Sequence, residues 1–294
     1  MTPRKESMDL LGTTLLIAFS ALLGVNQALV KIVNDGFAPI FQSGLRSLCA
    51  LAPVLIFALI MRRKLSVTDG SLPWGLLNGI LFTLEFGLLF IALDYTTVAR
   101  ACLFFYVMPV WVSLGAHWLV PGEPLNRNKV IGLSLAILGV AVALNTDLGT
   151  APENAWVGDF LALIAGVFWA GIALLTRLKL DKVSSEMNLL YQLVVSAIVL
   201  LLVAFVSGDT IREPTATIYA IFTFQVLIVV ATGFIMWFWI LSIYPVSNMA
   251  SFGLLAPIFG VAFGWYLFDD PLTVGFVIAL SLACGGIFIV NKPT

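Results

Sequence analysis

Polar residues act as punctuation in this chain. Long apolar runs stand between short clusters of charged residues, prolines and glycines, and most runs approach the ~20 residues that a helix needs to cross ~30 Å of hydrocarbon. Reading from cluster to cluster predicts ten spanning helices. The first five are Leu10 to Val33, Ala38 to Met61, Leu72 to Leu93, Val98 to Val120 and Asn128 to Leu144. The second five are Trp156 to Leu178, Glu186 to Val206, Thr217 to Leu241, Ser247 to Phe268 and Thr273 to Val290. Apolar residues follow one another without alternation, so an all-α integral membrane protein is expected rather than a barrel. The leading MTPRKES precedes an apolar run too long for a cleaved leader and without a small-x-small exit, so a retained first span is expected.

The pattern also repeats. Val98 to Pro109, VARACLFFYVMP, is answered by Val246 to Pro257, VSNMASFGLLAP, with the same spacing from Val to Pro. EPLNRNKVIGLSLAILGVAV from Glu123 is answered by DPLTVGFVIALSLACGGIFI from Asp270. Two halves are expected, residues 1–148 and 149–294, joined near Gly149 to Asn154. Each half holds five predicted spans, and five is odd, so the second copy must enter the membrane inverted relative to the first. Inverted repeats are how many secondary carriers build two gates around one midplane site.

Composition and charge sharpen this. The chain is 61% hydrophobic and 11% charged, far below the ~25% charged residues of soluble domains. With an even number of spans both termini share a side. That side holds Arg4, Lys5, Arg62, Arg63, Lys64, Arg127, Lys129, Arg177, Lys179, Lys182 and Lys292, against Lys31, Arg100 and Arg212 opposite. Both termini are therefore expected in the cytoplasm, in a plasma (inner) membrane. The net charge of -1 gives no reason to expect a nucleic-acid partner. Cys49, Cys102 and Cys284 are odd in number and sit far apart in apolar runs, as small core residues do.

ALDYTTVARACLFFYVMPVW from Ala92 and GEPLNRNKVIGLSLAILGV from Gly122, with their second copies, resemble the drug/metabolite transporter superfamily, EamA type. The resemblance covers nearly the whole chain. It implies ten helices as two inverted five-helix repeats and export of small metabolites, often amino acids. The chain is also compatible with aromatic amino-acid exporters of the YddG type.

Arg46 and Glu85 are the outliers within spans. Each lies eight residues from the predicted outer end of its helix, about 12 Å deep at 1.5 Å per residue. An ionised group at such depth costs about 2.5–3.5 kcal/mol on insertion scales and usually faces a partner or water. Two readings stay open: a polar floor that grips an amino acid's carboxylate or amine, and a salt bridge tying helices two and three. Ser20, Gly24, Gln27 and Lys31 share one face of helix one, with Gln27 near the depth of Arg46 and Lys31 expected to snorkel. Gln42 lies one turn above Arg46, and Asn78 shares a face with Glu85 and could extend the polar path. Tyr191 and Gln192 are the expected inner counterparts, since a shift of 146 residues places Arg46 on Gln192 and Lys31 on Arg177. Pro109 and Pro257 remove helix hydrogen bonds at matching places, which points to kinks that gate.

Aromatics make up 12% of the chain. Trp74, Trp118, Trp156 and Trp265 fall at predicted interfaces, and Trp237 and Trp239 read as inner-belt anchors. Phe105, Tyr106 and Trp169 sit deeper and could stack a planar side chain, which tilts the expected substrate toward aromatic or bulky apolar molecules. His117 closes helix four as an interfacial residue. Nothing resembles a P-loop, an H-E-x-x-H or a G-x-S-x-G, so no ATP hydrolysis, no enzyme chemistry, no cofactor and no metal is expected. The expected function is a secondary carrier whose partners are a small molecule and the lipid bilayer. An exporter of drugs, organic cations or nucleotide-type metabolites, a channel, a membrane scaffold and a homodimer all stay open.

Overall fold

A computed structural model of the chain describes residues 9–121, 123–146, 153–233, 236, 240 and 255–291. The described residues are helical, and a lone bridge between Phe37 and Ile211 is the sole β pairing among them. In chain order the helices are α1 (Leu10–Asn34), α2 (Pro39–Ile60), α3 (Leu72–Tyr95), α4 (Val98–Phe105), α5 (Met108–Leu119) and α6 (Arg127–Asn145). They continue with α7 (Ala155–Lys179), α8 (Ser185–Ser207), α9 (Ala216–Phe224), a π-helical segment (Gln225–Thr232), α10 (Leu255–Phe268) and α11 (Val274–Asn291). Seven stretches are long and apolar enough to cross a bilayer, α4 and α5 together forming one of them; Ala216–Thr232, Leu255–Phe268 and Val274–Val290 are shorter apolar helices. The start of the predicted ninth span, Trp237, Trp239, Lys292 and most of the 149–154 junction lie outside the described residues.

Local chemistry sets the helix ends. Asp9, Thr97, Asn126, Ser184 and Thr215 each accept a backbone N–H of the helix they begin, satisfying a donor that the helix cannot. Gly208 ends α8 at φ 74°, a left-handed conformation that glycine adopts at no steric cost. Pro109 breaks the predicted fourth span. It has no N–H for the Phe105 carbonyl and its ring crowds that oxygen, so α4 stops at Phe105 and α5 restarts at Met108. The Val110 N–H reaches Val107 instead, at 2.9 Å. Pro257 is buried in α10.

The glycine contacts reveal how the two ends of the chain meet. A Cβ on Gly132 of α6 would stand 2.6 Å from the Gly286 oxygen of α11, and one on Gly139 2.7 Å from the Ala279 oxygen. Residue numbers rise along one helix as they fall along the other, so the pair is antiparallel. The repeat maps Gly132 onto Ala279 and Gly139 onto Gly286, so it exchanges these two contacts. The two-repeat fold fits that exchange. Gly286→Val is expected to destabilise the protein by about 1–3 kcal/mol, because its Cβ would meet the backbone of Gly132 and Ala136 at 2.5 Å. Gly285→Ala, one residue away with nothing within 4 Å, is expected to be neutral or stabilising. Thermal unfolding in detergent measures both, and equal midpoints would remove the packing argument.

The outer surface is apolar, as a lipid-facing one must be, with Trp118, Trp156, Trp265 and Trp74 exposed near helix ends. Lys179 lies 4.9 Å from the Trp74 ring. Cys102 is buried, but Cys49 is exposed on α2, so the expectation of a core cysteine fails there.

Candidate functional site

Helices α2 and α3 bring Arg46 and Glu85 into the interior, where they are 4% and 3% exposed. The Arg46 guanidinium carbon lies 4.6 Å from the ring centroids of both Phe86 and Phe90. Those rings stabilise the cation through their faces and use none of its N–H donors. Arg46 and Glu85 feel each other's charge. Yet no hydrogen bond or ion pair within 4.0 Å joins either one to any described residue. The salt bridge left open by the sequence is therefore not formed.

Around this pair the predicted residues divide. Tyr106 lies beside the Gln27 side chain and within reach of the Glu85 charge, and its hydroxyl donates to the Leu23 carbonyl at 3.3 Å. Gln27 Oε1 is buried without a partner. Phe105 and Trp169 stack at 4.9 Å with 11° between their planes, and Tyr106 meets Trp169 edge-on at 5.9 Å. The three aromatics thus form one wall, packed on each other. Gln42 is wholly buried one turn from Arg46, and its amide donates to Gln225 at 3.5 Å.

Asn78 and Tyr191 lie further toward the lysine- and arginine-rich end. Asn78 donates to Asn188 Oδ1 at 2.8 Å, and Asn188 donates to Thr176 Oγ1 at 3.2 Å, joining α3, α7 and α8. Asn78 Oδ1 stays buried without a partner. Tyr191 shares a hydrogen bond with Ser71 at 3.0 Å and donates to the Ser66 carbonyl at 3.3 Å. Arg63 pairs with Glu186 at 2.9 Å, and Arg177 pairs with Glu123. All these contacts lie at the lysine- and arginine-rich end. Gln192 is buried on α8. His117 is exposed at that end, and its Nδ1 accepts the Leu125 N–H at 3.3 Å.

The opposite end carries a charged knot. Lys31 donates to the Leu93 and Thr96 carbonyls at 2.6 and 2.8 Å, so it caps α3 and does not snorkel. Its ammonium completes the carbonyls that the end of α3 leaves bare. Arg100 of α4 grips both oxygens of Asp159 on α7, with Nε at 2.9 and 3.0 Å, and its Nη1 donates to the Ala143 carbonyl of α6 at 3.1 Å. Thr96 donates to the same carboxylate at 2.7 Å. Asp270, from the α10–α11 turn, accepts the Ala99 N–H at 2.8 Å. Burial raises the Asp270 carboxyl above its ordinary value, and the Ala99 N–H and the Lys31 charge pull it back. Arg212 ties Asn34 and Asp94 together at 2.8 and 2.9 Å.

Sequence reasoning missed Asp159 and Gln225. Asp159 was readable as an acid four residues into an apolar run, opposite in sign to Arg100 at the same predicted end. Gln225 was readable as a lone amide among apolar neighbours. The π-helical turn that begins at Gln225 left no signal in the sequence.

Helical architecture, an interior opposite-charge pair and two stitched ends describe a carrier-like body. The sequence profile of the EamA-like transporter family matches residues 10–145 and again residues 156–292. The chain belongs to this family. It is a multi-pass membrane transporter of the drug/metabolite superfamily. Among EamA-like relatives it is similar to the uncharacterized transporter YoaV of Bacillus subtilis (strain 168), 22% identical over 93% of this chain and 94% of that one. It is also similar to a probable amino-acid metabolite efflux pump of Escherichia coli (strain K12), 26% identical over 90% of both chains. A solved protein structure superposes with a TM-score of 0.67 at 21% identity, covering 94% of this chain and 96% of that one. That likeness bears on the fold alone.

Proposed function

We propose that this EamA-like transporter is a secondary carrier that exports small zwitterionic metabolites by alternating access. Amino acids with aromatic or bulky apolar side chains are favoured. The observation that carries this reading is the pair of buried, opposite charges that no described residue bonds. An amino acid brings a carboxylate that can fill the Arg46 fork and an ammonium that can take Glu85, so both buried charges are neutralised at once. An organic cation would satisfy Glu85 and leave Arg46 unpaired, which argues against that alternative. The wall of Phe105, Tyr106 and Trp169 offers ring faces to a planar or bulky side chain. Relatives named as probable amino-acid metabolite efflux pumps support the same class.

The arrangement proposed is ten spans in two inverted five-helix repeats, 1–148 and 149–294, with both termini on the cytoplasmic side of the plasma (inner) membrane. The knot of Arg100, Asp159, Lys31 and Asp270 closes the outer end, and the break at Pro109, with Pro257 as its counterpart, lets helices lining the site rock. Gln27, Arg46 and Glu85 hold the polar end of the substrate.

Counterflow tests it. Proteoliposomes loaded with unlabelled phenylalanine are expected to accumulate labelled phenylalanine transiently and saturably. Linear, unsaturable entry would indicate a channel, and no exchange of any amino acid would sink the substrate assignment.

A further inference from the structure

Two buried glutamines meet on the side of Arg46 toward the end that carries Asp159, Gln42 lying one turn from it. Gln42 on α2 and Gln225 at the head of the π-helical segment are each 0% exposed and come from opposite halves of the chain. They meet through one long hydrogen bond, Gln42 Nε2 donating to Gln225 Oε1 at 3.5 Å. Gln42 Oε1 and Gln225 Nε2 are left without partners. Turning both amides over exchanges the atoms and still leaves one acceptor and one donor. A buried amide left half-satisfied costs free energy that an apolar side chain of equal volume would not. The π-helix, which widens the turn by one residue, is frequent at functional sites.

We propose that Gln42 and Gln225 form a second, release subsite for the substrate's zwitterionic group. The free acceptor takes the ammonium and the free donor takes a carboxylate oxygen. The pair repeats in neutral form what Glu85 and Arg46 offer in charged form. Hydrogen bonds to a neutral amide hold an ion less tightly than those of a charged partner. A substrate bound firmly between Arg46 and Glu85 therefore steps outward to a weaker station before leaving, as passage through several sites requires. Phe37, Phe41, Phe222 and Val226 pack together beyond the amides and close this station in the present conformation. Because the subsite joins α2 to a helix of the second half, parting those helices opens it and separates the two amides.

This inference rests on the zwitterion reading of Arg46 and Glu85, and its test keeps the two apart. Gln42→Met and Gln225→Met, singly and together, preserve volume and remove the hydrogen bonds. Three quantities are measured: equilibrium binding of labelled phenylalanine, the thermal midpoint, and efflux of that phenylalanine from preloaded proteoliposomes. Binding is expected to stay within about twofold of the unaltered protein, as for independent sites. The midpoint should hold or rise, and efflux should slow ~tenfold, the equivalent of one lost hydrogen bond. Unaltered efflux in the double variant overturns the proposal. So does a midpoint that falls in step with efflux, since that marks a packing contact. If the unaltered protein binds no zwitterion, the reading of Arg46 and Glu85 fails first and the release subsite goes with it.

Discussion

Arg46→Met is expected to weaken amino-acid binding roughly ten- to a hundredfold while leaving the fold intact. A hydrogen bond to a charged group contributes about 1.5–3 kcal/mol, and each 1.4 kcal/mol is a factor of ten in affinity. The guanidinium is held between Phe86 and Phe90 rather than by a carboxylate, so methionine can occupy that apolar slot and keep contact with both rings. Glu85→Gln removes the ammonium partner and is expected to cost about tenfold in affinity. Stability is the discriminating readout. Were the two residues a structural ion pair, either single change would strand a buried charge and lower stability by about 3–5 kcal/mol. With no bond between them, thermal midpoints should stay near that of the unaltered protein. Arg46→Lys tests geometry as well as charge: an ammonium cannot present the planar fork that meets a carboxylate through two bonds, so partial binding is expected. Variants that unfold easily but still bind phenylalanine normally would reverse the assignment of this pair from site to scaffold.

What could be read from the chain before its structure follows a physical divide. Span placement was legible, because burial in hydrocarbon is a property of single residues summed along a run: α1, α2, α3, α7 and α8 begin and end within about two residues of the predicted bounds. The break at Pro109 was legible because it needs only one missing N–H. Arg46 and Glu85 were legible as a buried pair because each violates its surroundings alone. Pairing was not. Lys31 and Arg100 both stood at the same predicted end, yet which carbonyl or carboxylate each would reach depends on how α3, α6 and α7 cross, and crossing is written in no local pattern. Lys31 had two acceptable outcomes, headgroup or helix end, and the bare carbonyls of Leu93 and Thr96 decided between them. Asn78 and Tyr191 were seen as interior polar residues inward of Glu85, where they lie, but their partners Asn188 and Ser71 were not, since helical periodicity gives a face and a depth but not the neighbour across the gap. The π-helical turn at Gln225 was beyond reach for a similar reason: its residues read as an ordinary apolar helix.

Removing either member of the Arg100–Asp159 pair is expected to be among the most destabilising single changes in the protein. Asp159 is 0% exposed, and three donors converge on it: two nitrogens of the Arg100 guanidinium and the Thr96 hydroxyl. The same guanidinium reaches Ala143, so one side chain joins α4, α6 and α7. Taking two ions out of water is costly, and their mutual attraction repays that cost only while both are present. Asp159→Leu or Arg100→Met therefore leaves a lone charge in an apolar setting, a loss of about 3–5 kcal/mol. Putting both substitutions in one chain removes the stranded charge, so the double variant should be markedly more stable than the sum of the singles predicts. The interaction energy from that cycle should lie toward the upper part of the ~0.5–3 kcal/mol range seen for residues in direct contact. Thermal or denaturant unfolding of the four proteins in one detergent measures it. Strict additivity would mean that the ions are separately solvated and that the knot does not hold. With the interaction present, transport becomes the second readout: the double variant keeps the fold but loses a charged clasp across the two halves, so its outer end should open more readily. A cysteine introduced among the residues of that knot should then react faster with an external thiol reagent than it does with the clasp in place, because closing that end no longer gains a hydrogen-bonded ion pair.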